Sequence, residues 1–378
     1  MFRNEISVLR ELEQNASKEF TFSNKVEVRT EMGFFVSNRH IKKIGIYGSK
    51  LNKIPESIGS LGYLEELYLS HNKILKIPDS IGNLSSLKKL SLSTNKIDKI
   101  PQSIGKLINL EELILFHNNI SELPSSIKQL NSLSGLFLDD NNISNIYDLI
   151  GELSSLKKLS ISSNPLKSLP KTIGNLHNLT SLSASACNIE TIPNTIGNLE
   201  SLTYLFLDRN SLTHLPSSIG KLRNLKILNL NKNQLTSLPE SIGNLILLEK
   251  LYLKDNKLNS LPNSIGNLRK LERLYLNKNQ LTSLPESIGN LQSLQQLDLK
   301  NNRIAMLPNS IGKLSSLQRL DLEYNNLRDL PESFQKLHLL PKLTHNKFKK
   351  IPQSLQKLYK NVTGHDYEHY FDSILKSY

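Results

Sequence analysis

The sequence predicts an α/β solenoid, a horseshoe in which short coils stack to give a parallel concave sheet and short helical or extended segments on the convex side. Three observations predict it. One apolar pattern returns every 23 residues along most of the 378-residue chain. Each copy alternates leucines as a short strand does. Most copies then carry a proline and a glycine, which break any longer run of regular structure. A period of this length marks an array of units, none of which buries its apolar face without a neighbour.

The unit reads Leu-x-x-Leu-x-Leu-x-x-Asn-x-Leu-x-x-Leu-Pro-x-Ser-Ile-Gly-Asn-Leu-x-x. Its first asparagine falls at Asn72, Asn95, Asn118, Asn141 and Asn164, then at Asn210, Asn233, Asn256, Asn279, Asn302 and Asn325. Ser49 and Cys187 hold the same slot, and Asn346 closes a shortened last unit, which makes 14 units. In the unit around Asn256, Leu251 and Leu253 point inward from a strand, and the Asn256 amide serves backbone groups that the following turn leaves unpaired. Leu258 and Leu261 fill the core behind the turn. Pro262 suits the first position of a short helix. Ile265 and Leu268 point inward again, and Gly266 is expected to let the chain bend toward the next strand. Tyr147 in place of the proline, Lys128 in place of the glycine and Ala184 in place of a core leucine predict irregularity around the fourth to seventh units.

This spacing resembles the leucine-rich repeat, over about residues 41–358. The Leu-Pro-x-Ser-Ile-Gly-Asn-Leu signature is similar to the repeats of Ras-pathway scaffolds, Scribble-type proteins and the plant intracellular Ras-group-related proteins. The resemblance implies a protein-binding scaffold or regulator; it does not transfer a partner, and a small GTPase or its regulator is one candidate. It rests on core positions, so it transfers no partner-binding residue.

Repeat arrays need caps at both ends. Residues 1–40 lack the repeat and are read as an N-terminal cap. A helix is expected over Asn4–Asn15, with Ile6, Leu9 and Leu12 on one face, and a hairpin between Phe20–Phe22 and Val26–Val28 around Ser23-Asn24. Residues 359–378 are read as a C-terminal capping helix, with Tyr367, Phe371, Ile374 and Leu375 on one face. Pro341 near the last strand discourages further pairing.

Composition narrows the function. The net charge of +13 favours acidic partners and leaves nucleic acid or an anionic surface as the alternative reading. The single cysteine, Cys187, points to a reducing, cytoplasmic setting and is read as a small buried hydrophobe. No apolar run reaches the length of a membrane span. Neither a phosphate-binding loop nor a nucleophile elbow is present. His365-Asp-Tyr-Glu368-His369 follows the inverted zinc-peptidase order, but only Asp372 follows it as a further carboxylate, so no metal, cofactor or enzymatic activity is expected.

The outward strand positions carry the remaining information, because packing does not dictate them. They place Tyr68, Ile114, Phe116 and Phe137 along one stretch of the wall, and Tyr204, Phe206, Tyr252, Arg273 and Tyr275 along another. Ser160 and Ser183 belong to a floor of small residues between them. Such apolar groups on a concave wall are expected to anchor a protein partner.

Overall fold

The computed structural model describes residues 2–16, 18–146 and 148–366. The chain forms two compact units, residues 1–187 and 188–378. The first opens with helix α1 (Phe2–Ala16), followed by strands β1 (Thr21–Phe22), β2 (Gly33–Ser37) and β3 (His40–Gly45). Strands β4 to β9 then start at Glu66, Lys89, Glu112, Gly135, Lys158 and Ser181, each three residues long. The second unit holds β10 (Tyr204–Phe206), β11 (Ile227–Asn229), β12 (Lys250–Tyr252), β13 (Arg273–Tyr275), β14 (Gln296–Asp298) and β15 (Arg319–Asp321), and helix α2 (Gln353–Thr363).

From β3 on, neighbouring strands within each unit pair in parallel with equivalent residues in register, as Leu251 does with Leu274 and Leu274 with Leu297. Register cannot slip, because a one-residue shift would turn every inward leucine to solvent. Between strands the chain returns through five-residue 3₁₀ helices such as Asn263–Asn267. Leu248, Leu251, Leu253, Leu258, Ile265 and Leu268 of that coil are fully buried, and the same positions are buried in the coils around it. The core is a column of aliphatic side chains, one layer per coil.

Three details differ from expectation in a physically informative way. The hairpin is formed by β2 and β3, which pair antiparallel, and not by the Phe20–Val28 segment. Its two-residue loop is Asn38-Arg39, both with positive φ (52° and 63°), the twist that tight hairpins require. β1 instead lies parallel to β2. Pro262 precedes its 3₁₀ helix in an extended conformation (φ −67°, ψ 151°) and so caps it from outside. Gly266 is needed for closeness: a Cβ there would run into the Ser287 carbonyl oxygen of the next coil.

The asparagine slot works as expected and also reaches across coils. Asn256 Nδ2 donates to Leu253 O in its own coil and to Leu230 O in the preceding one, while its Oδ1 accepts from Leu235 N–H. Cys187 keeps donor bonds of this pattern. Its thiol contacts Ile161 O at 3.2 Å, and burial pushes the thiol pKa up to about 11. The Leu166 N–H, whose counterparts donate to an asparagine oxygen, turns to Asn164 O.

A second bond series runs along the 3₁₀ helices. Where a Glu or Gln follows the proline, four such residues accept from the helix start of the next coil: Glu56 from Ser80 N–H, Gln102 from Ser126 N–H, Glu240 from Ser264 N–H, and Glu286 from Asn309 and Ser310 N–H. These N–H groups have no partner inside their own helix, so the neighbouring side chain caps them.

At the N-terminal end, α1 buries Val8, Leu9, Leu12 and Ala16. Its Glu5, only 6% exposed, accepts from Ile41 N–H and bonds His40 Nδ1 of β3. At the C-terminal end, Lys342, next to Pro341, makes an isolated parallel bridge to Asp321. Helix α2 packs on the 3₁₀ helix Glu332–Lys336, buries Leu355 and Leu358, and stops at Gly364 in the left-handed conformation (φ 78°). The helix thus begins ahead of the expected 359–378 boundary, and the apolar face expected at Tyr367–Leu375 lies outside the described residues.

Candidate partner-binding surface

The side of each strand opposite the leucines faces solvent, and its residues form rows running from coil to coil. The two expected aromatic groups fall in different compact units, so each face is described by itself.

On the first unit, one row alternates in charge: Lys43, Glu66, Lys89 and Glu112 are successive register partners. Lys43 pairs with Glu66 at 3.0 Å and Lys89 with Glu112 at 3.4 Å. Beside them Glu65 sits between Lys42 and Lys88, and the hydrogen bond from Lys42 leads in holding its carboxyl below the usual range. This row satisfies itself.

The expected residues of that face divide into three kinds. Tyr68 corrects the expectation, because it is only 6% exposed. Its hydroxyl turns back onto Glu66 of its own strand at 2.8 Å, and burial, reinforced by that carboxylate, raises its pKa. Ile114, Phe116 and Phe137 are half-buried. Phe137 has a structural task as well: its ring lies over Gly135, where an added Cβ would meet the ring edge at 2.9 Å. Ser160 and Ser183 are half-buried, with hydroxyls already engaged. Ser160 donates to Asp139 at 2.6 Å, and Ser183 shares a bond of 2.8 Å with Ser162.

On the second unit, Tyr204 is 39% exposed, and Phe206 and Ile227 beside it are half-buried. Tyr252 and Tyr275 stack face to face, with ring centres 5.1 Å apart and planes within 3°. The Tyr275 hydroxyl donates to Gln296 at 2.6 Å. Arg273 is half-buried beside the stack, and its buried Nε has no hydrogen-bond partner among the described residues. Farther along, Asp298 and Asp321 are register partners, and burial leads in raising the Asp298 pKa. Lys300 pairs with Glu323 at 2.6 Å and lies over the ring of Tyr324. Sequence reasoning missed this last cluster as a unit, because its members come from neighbouring coils and meet only through register.

Among the described residues no group of three or more His, Cys, Asp or Glu side chains could hold a metal ion. Glu368 and His369 of the zinc-peptidase pattern lie outside them. No helix among the described residues is long and apolar enough to cross a membrane.

The sequence matches the family described as leucine-rich repeat region over residues 79–164, 142–227 and 211–302. It also matches the one described as leucine rich repeat over 39–97 and 292–348. The chain belongs to the leucine-rich-repeat family. Solved structures of leucine-rich-repeat proteins share its fold. One from Leptospira interrogans is 33% identical, covers 83% of this chain and 86% of its own, and superposes with a TM-score of 0.74. The plant peptide hormone receptor RGFR1, solved in complex with RGF2, is 32% identical over 81% of this chain and 52% of its own, with a TM-score of 0.70. PEPR1, solved with AtPEP1, is 27% identical over 95% of this chain and 54% of its own, with a TM-score of 0.77. The chain therefore spans about half the length of these two receptor structures. No curated relative matches it. The leucine-rich-repeat fold is in general one that binds proteins.

Proposed function

We propose that this leucine-rich-repeat chain is a non-enzymatic scaffold that holds a protein segment against the outward side of its strands. The observation that carries the reading is the set of aromatic side chains on the second unit's sheet face, the Tyr252–Tyr275 stack above all. Tyr204, Phe206, Tyr252 and Tyr275 stand on the sheet face while the core is filled without them. Aromatic side chains in such positions offer large contact area with little rotamer freedom to lose, which is how interface anchors act. The peptide complexes of the two plant receptors support the same use of the fold. On the first unit Ile114 and Phe116 extend the reading, whereas Phe137 is partly spoken for by Gly135. The small-GTPase and nucleic-acid readings draw no support from these neighbours. A cytoplasmic setting rests on the one buried thiol alone.

The test is a selection of random peptides on the full chain. Selected peptides should lose binding to a Phe206→Ala/Tyr252→Ala double variant and keep it to Ile246→Glu, which alters a 56% exposed residue outside the strands. Melting temperatures should stay close to wild type in both. Peptides that bind all three proteins equally would refute the reading.

A further inference from the structure

The second unit's sheet face breaks a rule that the first unit keeps. On the first, register neighbours alternate in sign along four strands, from Lys43 to Glu112. On the second, the same row places Lys250 directly beside Arg273, followed by Gln296 and Arg319. Like charges on adjacent strands repel and cost stability. Neither Lys250 nor Arg273 enters an ion pair among the described residues, and Arg273 Nε is sealed from water without an acceptor. Gln296, the one neutral neighbour, is already taken by the Tyr275 hydroxyl. Two unneutralised cations thus stand against the stacked Tyr252–Tyr275 pair; Ile227 and then Tyr204 adjoin Lys250 along its own row, while Asn229 separates Phe206 from Tyr252.

The geometry points to an acidic peptide segment as the occupant of this face: carboxylates on Lys250 and Arg273, with an adjoining aromatic ring or proline on the Tyr252–Tyr275 stack. This rests on the scaffold reading above and adds the partner's chemistry. A planar guanidinium grips a carboxylate with paired bonds. The seat is short. One strand beyond Tyr275 the row turns acidic at Asp298 and then Asp321, which repel a continuing polyanion. That favours a local cluster of Asp and Glu over the unbroken phosphates of a nucleic acid.

Two fluorescent peptides test it, one with Glu and Asp around Tyr and Pro, the other with Lys at every acidic position. Both are titrated into the full chain at low and high salt, with a single-stranded oligonucleotide as competitor. The acidic peptide should bind, weaken at high salt, and lose about tenfold in affinity to Arg273→Glu. Tyr252→Ala should weaken it comparably. Arg273→Glu restores the alternation with Lys250, so its melting temperature should equal or exceed wild type, which separates lost binding from lost folding. Lys250→Glu serves the same purpose if the first variant does not fold. Equal binding of the two peptides, or an acidic peptide indifferent to Arg273→Glu, overturns the inference. So does an oligonucleotide that displaces the peptide and binds more tightly. If peptides bind without acidic preference yet depend on Tyr252, only the acidic assignment fails. If they depend on neither residue, or none bind, the scaffold reading fails with it.

Discussion

Replacing Gly289 with alanine tests whether coil spacing or backbone freedom fixes the repeat's glycine. The new Cβ would sit 2.5 Å from the Ser310 carbonyl oxygen, 2.6 Å from Ser310 Cβ and 3.1 Å from its carbonyl carbon. Ordinary contact begins near 3.4 Å, so the next coil must retreat by about 0.9 Å. Two of the three atoms are backbone, and no rotamer change relieves them. Overpacking of this kind costs about 1–3 kcal/mol. Alanine returns about 0.4–1 kcal/mol by narrowing the unfolded ensemble. The net loss should be about 1–2 kcal/mol. Gly62 is the matched control, because nothing lies within 4 Å of a Cβ there and its φ is ordinary. Gly62→Ala should therefore be neutral or gain about 0.4–1 kcal/mol. Urea unfolding of both variants decides the matter. The reasoning is refuted if Gly289→Ala is as stable as Gly62→Ala.

Further tests probe the bonds between coils and at the cap. Cys187→Asn should offer Leu166 N–H, now bonded to Asn164 O, the amide acceptor its counterparts use, and raise stability by about 0.5–1.5 kcal/mol, read as a higher urea midpoint; a lower one would show that the site cannot hold the amide. Glu5→Ala strands the buried Ile41 N–H and should cost about 1–3 kcal/mol, with faster amide exchange at Ile41 as the local sign. Unchanged exchange there would mean that α1 is held by its apolar face alone. The capping carboxylates give a pH dependence. Hydrogen bonding from Ser264 lowers the Glu240 pKa. At Glu286 burial opposes, but bonds from Ser310 and Asn309 prevail and the pKa is again lowered. Their contribution is present above the usual glutamate pKa of 4.5 and fades as pH falls through and below it. Glu240→Gln/Glu286→Gln, which copies Gln102, should flatten the acid-side fall in melting temperature. An unchanged acid limb would assign that fall to other groups.

Most of the fold was legible because one physical requirement repeats. Leucine positions specify strand, inward face and core in every coil, and the asparagine slot follows from unpaired backbone at the turn. What the pattern hides is whatever depends on the neighbouring coil. The exposure of Tyr68, the ring of Phe137 over Gly135 and the unpaired Arg273 are set by residues 23 places away, or two along the strand, and by how far those side chains stand above the sheet. The hairpin was misplaced for a different reason. Ser23-Asn24 offers a turn residue between apolar pairs, but Asn38-Arg39 joins the longer strands, Gly33–Ser37 and His40–Gly45. Only the backbone reveals that Arg39, a poor turn former by type, accepts a left-handed conformation there.

The two bond series between coils point in opposite directions along the chain. Asn256 completes the turn of the coil synthesised before it, whereas Glu240 reaches ahead to the helix of the coil that follows. A nascent coil therefore leaves the ribosome half-finished. Its turn stays open until the next asparagine arrives, while a coil such as those of Glu56, Gln102, Glu240 and Glu286 already holds out a template for its successor's helix. Order should accordingly spread from the amino end as a zipper with a lag of one coil, and a ragged carboxyl end should fray by one coil and no further.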